Sequence, residues 1–290
     1  MTRAWMWVAL SASMAAFAQQ AQKDSAPRPN VMVVAVSRND SLLTGGIGLG
    51  RETKPGTADV EPVAWLTTSG EWMSTGCDGT NQKGCPNFEK NYLKKPHEYA
   101  VVSADGNGAS VHAAPVTLDE CNDYTGTGTY SGASILGSAI AATSPGLFAE
   151  SKPPQILSGP AAAPIRKSLR RLVPRTLDST ARLQVFSLRL EGQEYFVLQR
   201  SYSDFADLPG DQPYAYVFAI GTIGPGGFHL IHWKRDKEDE EERILGTVRL
   251  KSGSEYLITT ASDPESQLFR IYGIRNGKLT LIFAGGGASC

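Results

Sequence analysis

The chain holds 290 residues, with 28 Lys and Arg against 29 Asp and Glu, and carries a formal net charge of −1. That balance creates no broad field to draw in nucleic acid or an anionic membrane. Thirty glycines and 17 prolines, set among short runs of Val, Ile, Thr, Tyr and Phe, indicate many turns joining short strands.

The first residues, MTRAWMWVALSASMAAFAQQ, have the three parts of a secretory signal. Arg3 is the positive start, residues 4–15 the apolar run, and Ala16-Phe17-Ala18 the small-residue exit. Cleavage is expected after Ala18, with the mature chain secreted or periplasmic. No later stretch reaches the roughly 18–20 apolar residues of a spanning helix, so no transmembrane segment is expected once the signal is removed. No Cys follows the signal for lipid attachment, and no Arg-Arg pair precedes the apolar run. Residues 19–30 read as a polar linker.

Residues 31–150 read as a β-rich N-terminal domain. "VMVVAVS" is expected to be a buried strand. The Gly-dense "LLTGGIGLGRE" matches neither phosphate-loop pattern and reads as a loop. "VEPVAWLTTSGEWMS" alternates as a hairpin would, with Gly70 at its turn. "HEYAVVSADGNGASVHAAPVTL" repeats strand, turn and strand, and its Asp105 and Asn107 are too few ligands for calcium. "ASILGSAIAATS" fits a strand or a short helix.

Cys77, Cys85, Cys121 and Cys290 form an even set, and in an oxidising compartment they suggest two disulfides with three possible pairings. The easily turned DGTNQKG between Cys77 and Cys85 favours a local bridge, which leaves Cys121 for Cys290. A zinc site lacks any C-x-x-C pair.

Four prolines mark residues 151–164, "SKPPQILSGPAAAP", as a linker. A helix is expected over 165–182, where Ile165, Leu169, Leu172 and Val173 share a face and Pro174 kinks or ends the run. Its Arg166, Lys167, Arg170 and Arg171 make it basic. It could lie on an anionic surface, although a docked apolar face with the basic face in water is the plainer reading.

From 183 to 290 the pattern is strand and turn. "LQVFSLRL", "EYFVLQRSY", "YAYVFAIGTI" and "FHLIHWKR" make one set of four. "ILGTVRL", "EYLITTAS", "LFRIYGIRN" and "KLTLIFAGG" make a second. Asn276-Gly277 is a hairpin signal, because both residues accept the positive φ of a type I′ turn. The expected fold is therefore mostly β: antiparallel four-stranded blade-like units, in incomplete propeller-like or sandwich packing, with one short helix after the central linker.

The pair "LRLEGQEYFVLQRS" and "VRLKSGSEYLITTAS" resembles the FG-GAP or VCBS type of β-propeller blade over the C-terminal part of the chain. That resemblance implies a blade fold whose Asp-rich turn binds calcium. Here the turns run through Arg189, Glu191, Gly192 and Glu194, and through Arg249, Lys251, Gly253 and Glu255. One terminal Glu survives in each, beside basic residues, while calcium asks for six to eight oxygens. The turn is read as geometry without the ion, and no cofactor or metal is expected.

Chemistry elsewhere is thin. The charged run "KRDKEDEEER" over 234–243 reads as a solvated loop between the two units. His97 and His112 belong to no metal motif, and His229 and His232, three apart in a strand, point to opposite faces unless a bulge intervenes. No nucleophile elbow is present, and "YSGAS" offers serines without an obvious base. The weak binding candidates are Trp65, Glu71 and Trp72, then Asp119, Glu120 and Tyr124, where carboxylates and aromatic rings could meet a sugar. With no catalytic residues assigned, the chain reads as a non-catalytic β-rich binding or interaction protein whose partner is a protein or a cell-surface glycan. The alternatives are an exported hydrolase, possibly acting on carbohydrate, and a structural component of the cell envelope.

Overall fold

Alternation in Val31–Arg38 (β1) sends Met32, Val34 and Val36 to one face and Val31, Val33 and Ala35 to the other, and both faces are buried. A strand covered on both sides must sit between two hydrophobic partners. The structure, a computed structural model, describes residues 31–38, 57–67, 70–73, 97–102, 110–114, 117–118, 124–131, 138–143, 145–149, 154–169, 182–201, 216–236, 241–262 and 267–285. The signal segment, the linker 19–30, all four cysteines, Asp105, Asn107, Asp119 and Glu120 lie outside the described residues.

The first partner is a closed barrel. Beside β1 stand Thr57–Leu66 (β2), Trp72–Met73 (β3), His97–Val101 (β4), Ser110–Ala113 (β5), Thr117–Leu118 (β6), Tyr124–Ser131 (β7) and Ser138–Ala142 (β8). The ring runs β2, β1, β8, β4, β5, β7 and back to β2, with β3 and β6 attached at its rims. Met32, Val34, Val36, Ala58, Val60, Tyr99, Val111, Ala113 and Ala141 fill it. So narrow a barrel needs small residues on the closing strand. A Cβ at Gly128 would stand 2.6 Å from Val111 Cγ1 and 2.9 Å from the His112 carbonyl oxygen. In "YTGTGTYS" Gly126 and Gly128 face in while Thr127 and Thr129 point out. The ambiguous "ASILGSAIAATS" is settled as strand β8, paired to both β1 and β4.

The expected hairpin at Gly70 is present: the Gly70 and Thr67 N–H groups donate to the carbonyls of Thr67 and Glu71.

A single 3-10 turn, Pro145–Leu147, leads to Phe148–Ala149 (β9), followed by Gln155–Leu157 (β10) and a helix, Gly159–Leu169 (α1). This corrects the reading of 151–164 as linker and of the helix as starting at Ile165. Pro160 occupies the first turn, where a missing N–H costs nothing. Ala161 to Ala163 are the strongest helix formers, and Pro164 removes one bond without stopping the helix. Ala162 and Ile165 are fully buried against the sheet below. Counting prolines alone missed that docking.

Two four-stranded meanders follow. The first is Arg182–Leu190 (β11), Gln193–Ser201 (β12), Tyr216–Gly224 (β13) and Gly227–Asp236 (β14). The second is Glu241–Leu250 (β15), Glu255–Ser262 (β16), Gln267–Arg275 (β17) and Lys278–Gly285 (β18). Strand β10 extends the first sheet beside β11, and β9 extends the second beside β15.

Their last hairpins share one register. Phe218, Ile220, Ile223, Leu230 and Ile231 match Phe269, Ile271, Ile274, Leu281 and Ile282 without a gap. The pairing skips a residue at the same place in both, at Ile231 in β14 and Ile282 in β18. Asn276 (φ 52) and Gly277 (φ 71) form the left-handed turn expected of them.

The units stack front to back. Leu188, Leu190, Tyr195, Val197, Phe218 and Ile220 of the first meet Leu257, Tyr272 and Leu279 of the second. In the second unit, the counterparts Val248, Leu250, Ile258, Phe269 and Ile271 pack instead against the outer face of β1, β2 and β8. The back of the first unit, with Val185, Leu198, Val217 and Ala219, is closed by α1. The order of layers is barrel, second unit, first unit, helix. No described helix is long and apolar enough to cross a membrane.

Candidate functional site

Register decides the fate of the candidate sugar-binding residues. Trp65 pairs with Met32 and Met73, while Trp72 pairs with Leu66. Successive positions alternate faces, so Trp65 packs on the barrel interior and Trp72 on the barrel's outer face. The Trp72 ring meets Tyr256 edge-on, with centroids 5.5 Å apart and planes at 87°. The two indoles sit on opposite sides of one sheet and cannot grip one ring. Glu71 is exposed in the turn, and its N–H donates to Thr67 Oγ1 at 2.9 Å. Tyr124 opens β7 and pairs through its backbone with Leu118.

The largest buried polar cluster among the described residues lies between the two units. Glu242 is 2% exposed. Its Oε1 accepts hydrogen bonds from Thr259 Oγ1 (2.8 Å) and Tyr272 Oη (2.7 Å), and its Oε2 from Arg270 Nη1 (2.9 Å). Burial first, then the Glu242 charge, pushes the Tyr272 phenol far above its usual range. Across the interface the His232 ring lies 5.5 Å from the Tyr272 ring, and buried Gln199 Oε1 accepts from the Ile244 N–H at 3.1 Å. Three donors from the neighbouring strands of the same sheet satisfy the buried charge, and the Gln199 bond to Ile244 crosses from the first sheet to the second.

The charged run 234–243, expected to be a solvated loop, contains Glu242. The correction is that 241–243 already belong to β15, and Glu242 turns onto the face that meets the first unit. The available signal was Arg270, a charge amid the apolar strand "LFRIYGIR", which demanded an anionic partner.

For the two strand histidines the excepted case holds, because β14 carries a bulge. Ile231 has no partner in β13, so Thr222 pairs with His229 and Ile220 with His232. Thr222 and Ile220 share a face, and the bulge therefore brings His229 and His232 to the same side. Among the described residues no group of three or more His, Cys, Asp or Glu could hold a metal ion.

The two degenerate turns also meet each other. The Glu255 carboxylate takes the Arg249 guanidinium (3.2 Å) on one oxygen and the Glu191 N–H of the first unit on the other. Glu191 adopts a left-handed φ of 50 in that turn. This carboxylate is engaged by a side-chain cation and a backbone donor.

An exposed polar face remains on the barrel. Glu98 of β4, Ser110 and His112 of β5, and Thr127, Thr129 and Ser131 of β7 all point away from the barrel interior. His112 Nδ1 lies 3.2 Å from Glu98 Oε2, and the two side chains are 67% and 59% exposed. Ser110 and Ser131 share a hydrogen bond of 2.9 Å. The Ser110 hydroxyl, then His112, hold the Glu98 carboxyl below the usual carboxylate range. The serine thus leans on the carboxylate and on Ser131, an arrangement for presenting hydrogen bonds rather than for passing a serine proton to imidazole.

The chain matches no protein-family model, no curated protein and no solved structure.

Proposed function

We propose that the protein is an exported, non-catalytic binding module, built on two blade-like repeats, that recognises a hydroxyl-rich ligand such as a cell-surface glycan. The observation that carries this reading is the barrel's outer face. Hydroxyls, an imidazole and a carboxylate stand exposed there on three paired strands, two pairs of them fixed by cross-strand hydrogen bonds. Such groups donate and accept without large loss of rotamer freedom, because neighbours on a sheet already hold them. Glu242, Thr259, Arg270 and Tyr272, by contrast, are engaged with one another on a buried face.

Binding to a panel of immobilised polysaccharides tests it. Retention on at least one glycan, lost in Thr127→Val/Thr129→Val and in Glu98→Gln while the fold is kept, is expected. Retention unchanged in both variants, or no retention on any glycan, refutes the reading. Export is tested separately: N-terminal sequencing of the processed protein should begin at Gln19.

A further inference from the structure

The repeat supplies an internal comparison. The second unit's last hairpin ends in Arg275, Asn276, Gly277 and Lys278, with Ile274 packed between the units. The matching tip of the first unit reads Gly224, Pro225, Gly226 and Gly227, and no Asp, Glu, Lys or Arg occurs from Tyr216 to Trp233. Ile223, the counterpart of Ile274, is 48% exposed, and Leu230 on the adjacent strand is 42% exposed. Both point to the face that α1 closes, because Ile223 pairs with Phe228 and Leu230 with Gly221. The helix leaves that end of the sheet uncovered.

On the same side α1 exposes Arg166 and Lys167 and contains no acidic residue. The outermost layer therefore combines an uncharged hairpin tip, two exposed aliphatic side chains and a basic helix surface. Net charge of the whole chain is near zero, so the attraction is local.

We propose that this outer face of the first unit is a docking surface for an anionic lipid membrane, with Ile223 and Leu230 entering the interface and Arg166 and Lys167 meeting lipid phosphates. Aliphatic residues at a tip free of charges lose little on leaving water, and basic residues beside them are drawn to an anionic surface. The polar barrel lies at the opposite end of the stack, so the face proposed above for glycan stays open when this one is docked.

The test is co-sedimentation of the full chain with vesicles of phosphatidylcholine alone and of phosphatidylcholine with phosphatidylglycerol. Binding is expected only to the anionic vesicles and should be released in about 1 M salt, where the screening length falls to about 3 Å. Ile223→Asp/Leu230→Asp should lower the bound-to-free ratio by about tenfold or more, and Arg166→Ser/Lys167→Ser by a comparable factor. Ile156→Asp, at a 65% exposed aliphatic on the other face of the sheet, should bind as wild type. The proposal falls if the wild type ignores anionic vesicles, if neutral vesicles bind as well, or if Ile156→Asp is as damaging as the tip variants. Circular dichroism of each variant ensures that lost binding is not lost folding.

Discussion

Replacing Glu242 with Gln keeps the side chain's size and removes its charge. The carboxylate is almost wholly buried and carries three donors, one of them Arg270, whose side chain is only 15% exposed. A Gln could still accept from Thr259 and Tyr272, but its amide would put N–H groups or a weak acceptor before the guanidinium. Arg270, nearly buried, then loses its ion pair with Glu242, and breaking a buried pair from one side costs about 3–5 kcal/mol. Against a total stability of about 5–15 kcal/mol this is a large fraction. Arg270→Met leaves the converse fault, a buried carboxylate that keeps two hydroxyl donors but loses the Arg270 cation, and should cost a similar amount. In Glu242→Gln/Arg270→Met neither charge remains, and the Gln carbonyl still accepts from the Thr259 and Tyr272 hydroxyls. The double variant should therefore be far less damaged than the singles predict, with a coupling of about 2–3 kcal/mol. Urea unfolding, followed by circular dichroism and tryptophan fluorescence, measures all four corners of the cycle. If each single variant costs under about 1 kcal/mol and the two add, Glu242 and Arg270 are not coupled as a buried pair.

Gly128→Ala tests the closure of the barrel: a Cβ overlapping both a side chain and the β5 backbone should destabilise by about 1–3 kcal/mol, and a neutral result would mean that β7 can move outward. Tyr99, 1% exposed inside the barrel, has its phenol pushed up to about 12 by burial, from 10.0. The neutral form is favoured in the fold, so its contribution is complete below about pH 10 and lost as pH rises towards 12. That amounts to about 2–3 kcal/mol, and alkaline unfolding should move to higher pH in Tyr99→Phe. The depressed Glu98 carboxyl works in the opposite direction: its small contribution is present above the unfolded pKa and fades as pH falls through the folded one. In a carboxylate titration followed by NMR, Ser110→Ala should return its midpoint towards 4.5, and no movement would show that Ser110 does not hold it.

What depends on neighbours along the chain was legible in one dimension. Period-2 alternation placed the strands of both units, the matched "EYFVLQ" and "EYLITT" runs exposed their repetition, and Asn276-Gly277 fixed a turn, since each is a local preference of backbone and side chain. The mostly-β class followed from these. What depends on a surface brought from elsewhere emerged with the packed fold. Trp65 and Trp72 were separated by pairing register, and His229 and His232 were brought to one face by a single unpaired residue. Ala162 and Ile165 outweighed two prolines because a sheet face was there to receive them. Glu242 reads as surface charge until Thr259, Arg270 and Tyr272, from strands β16 and β17, close around it. A carboxylate's cost of burial is set by the donors that surround it in space, and a one-dimensional pattern does not carry that sum.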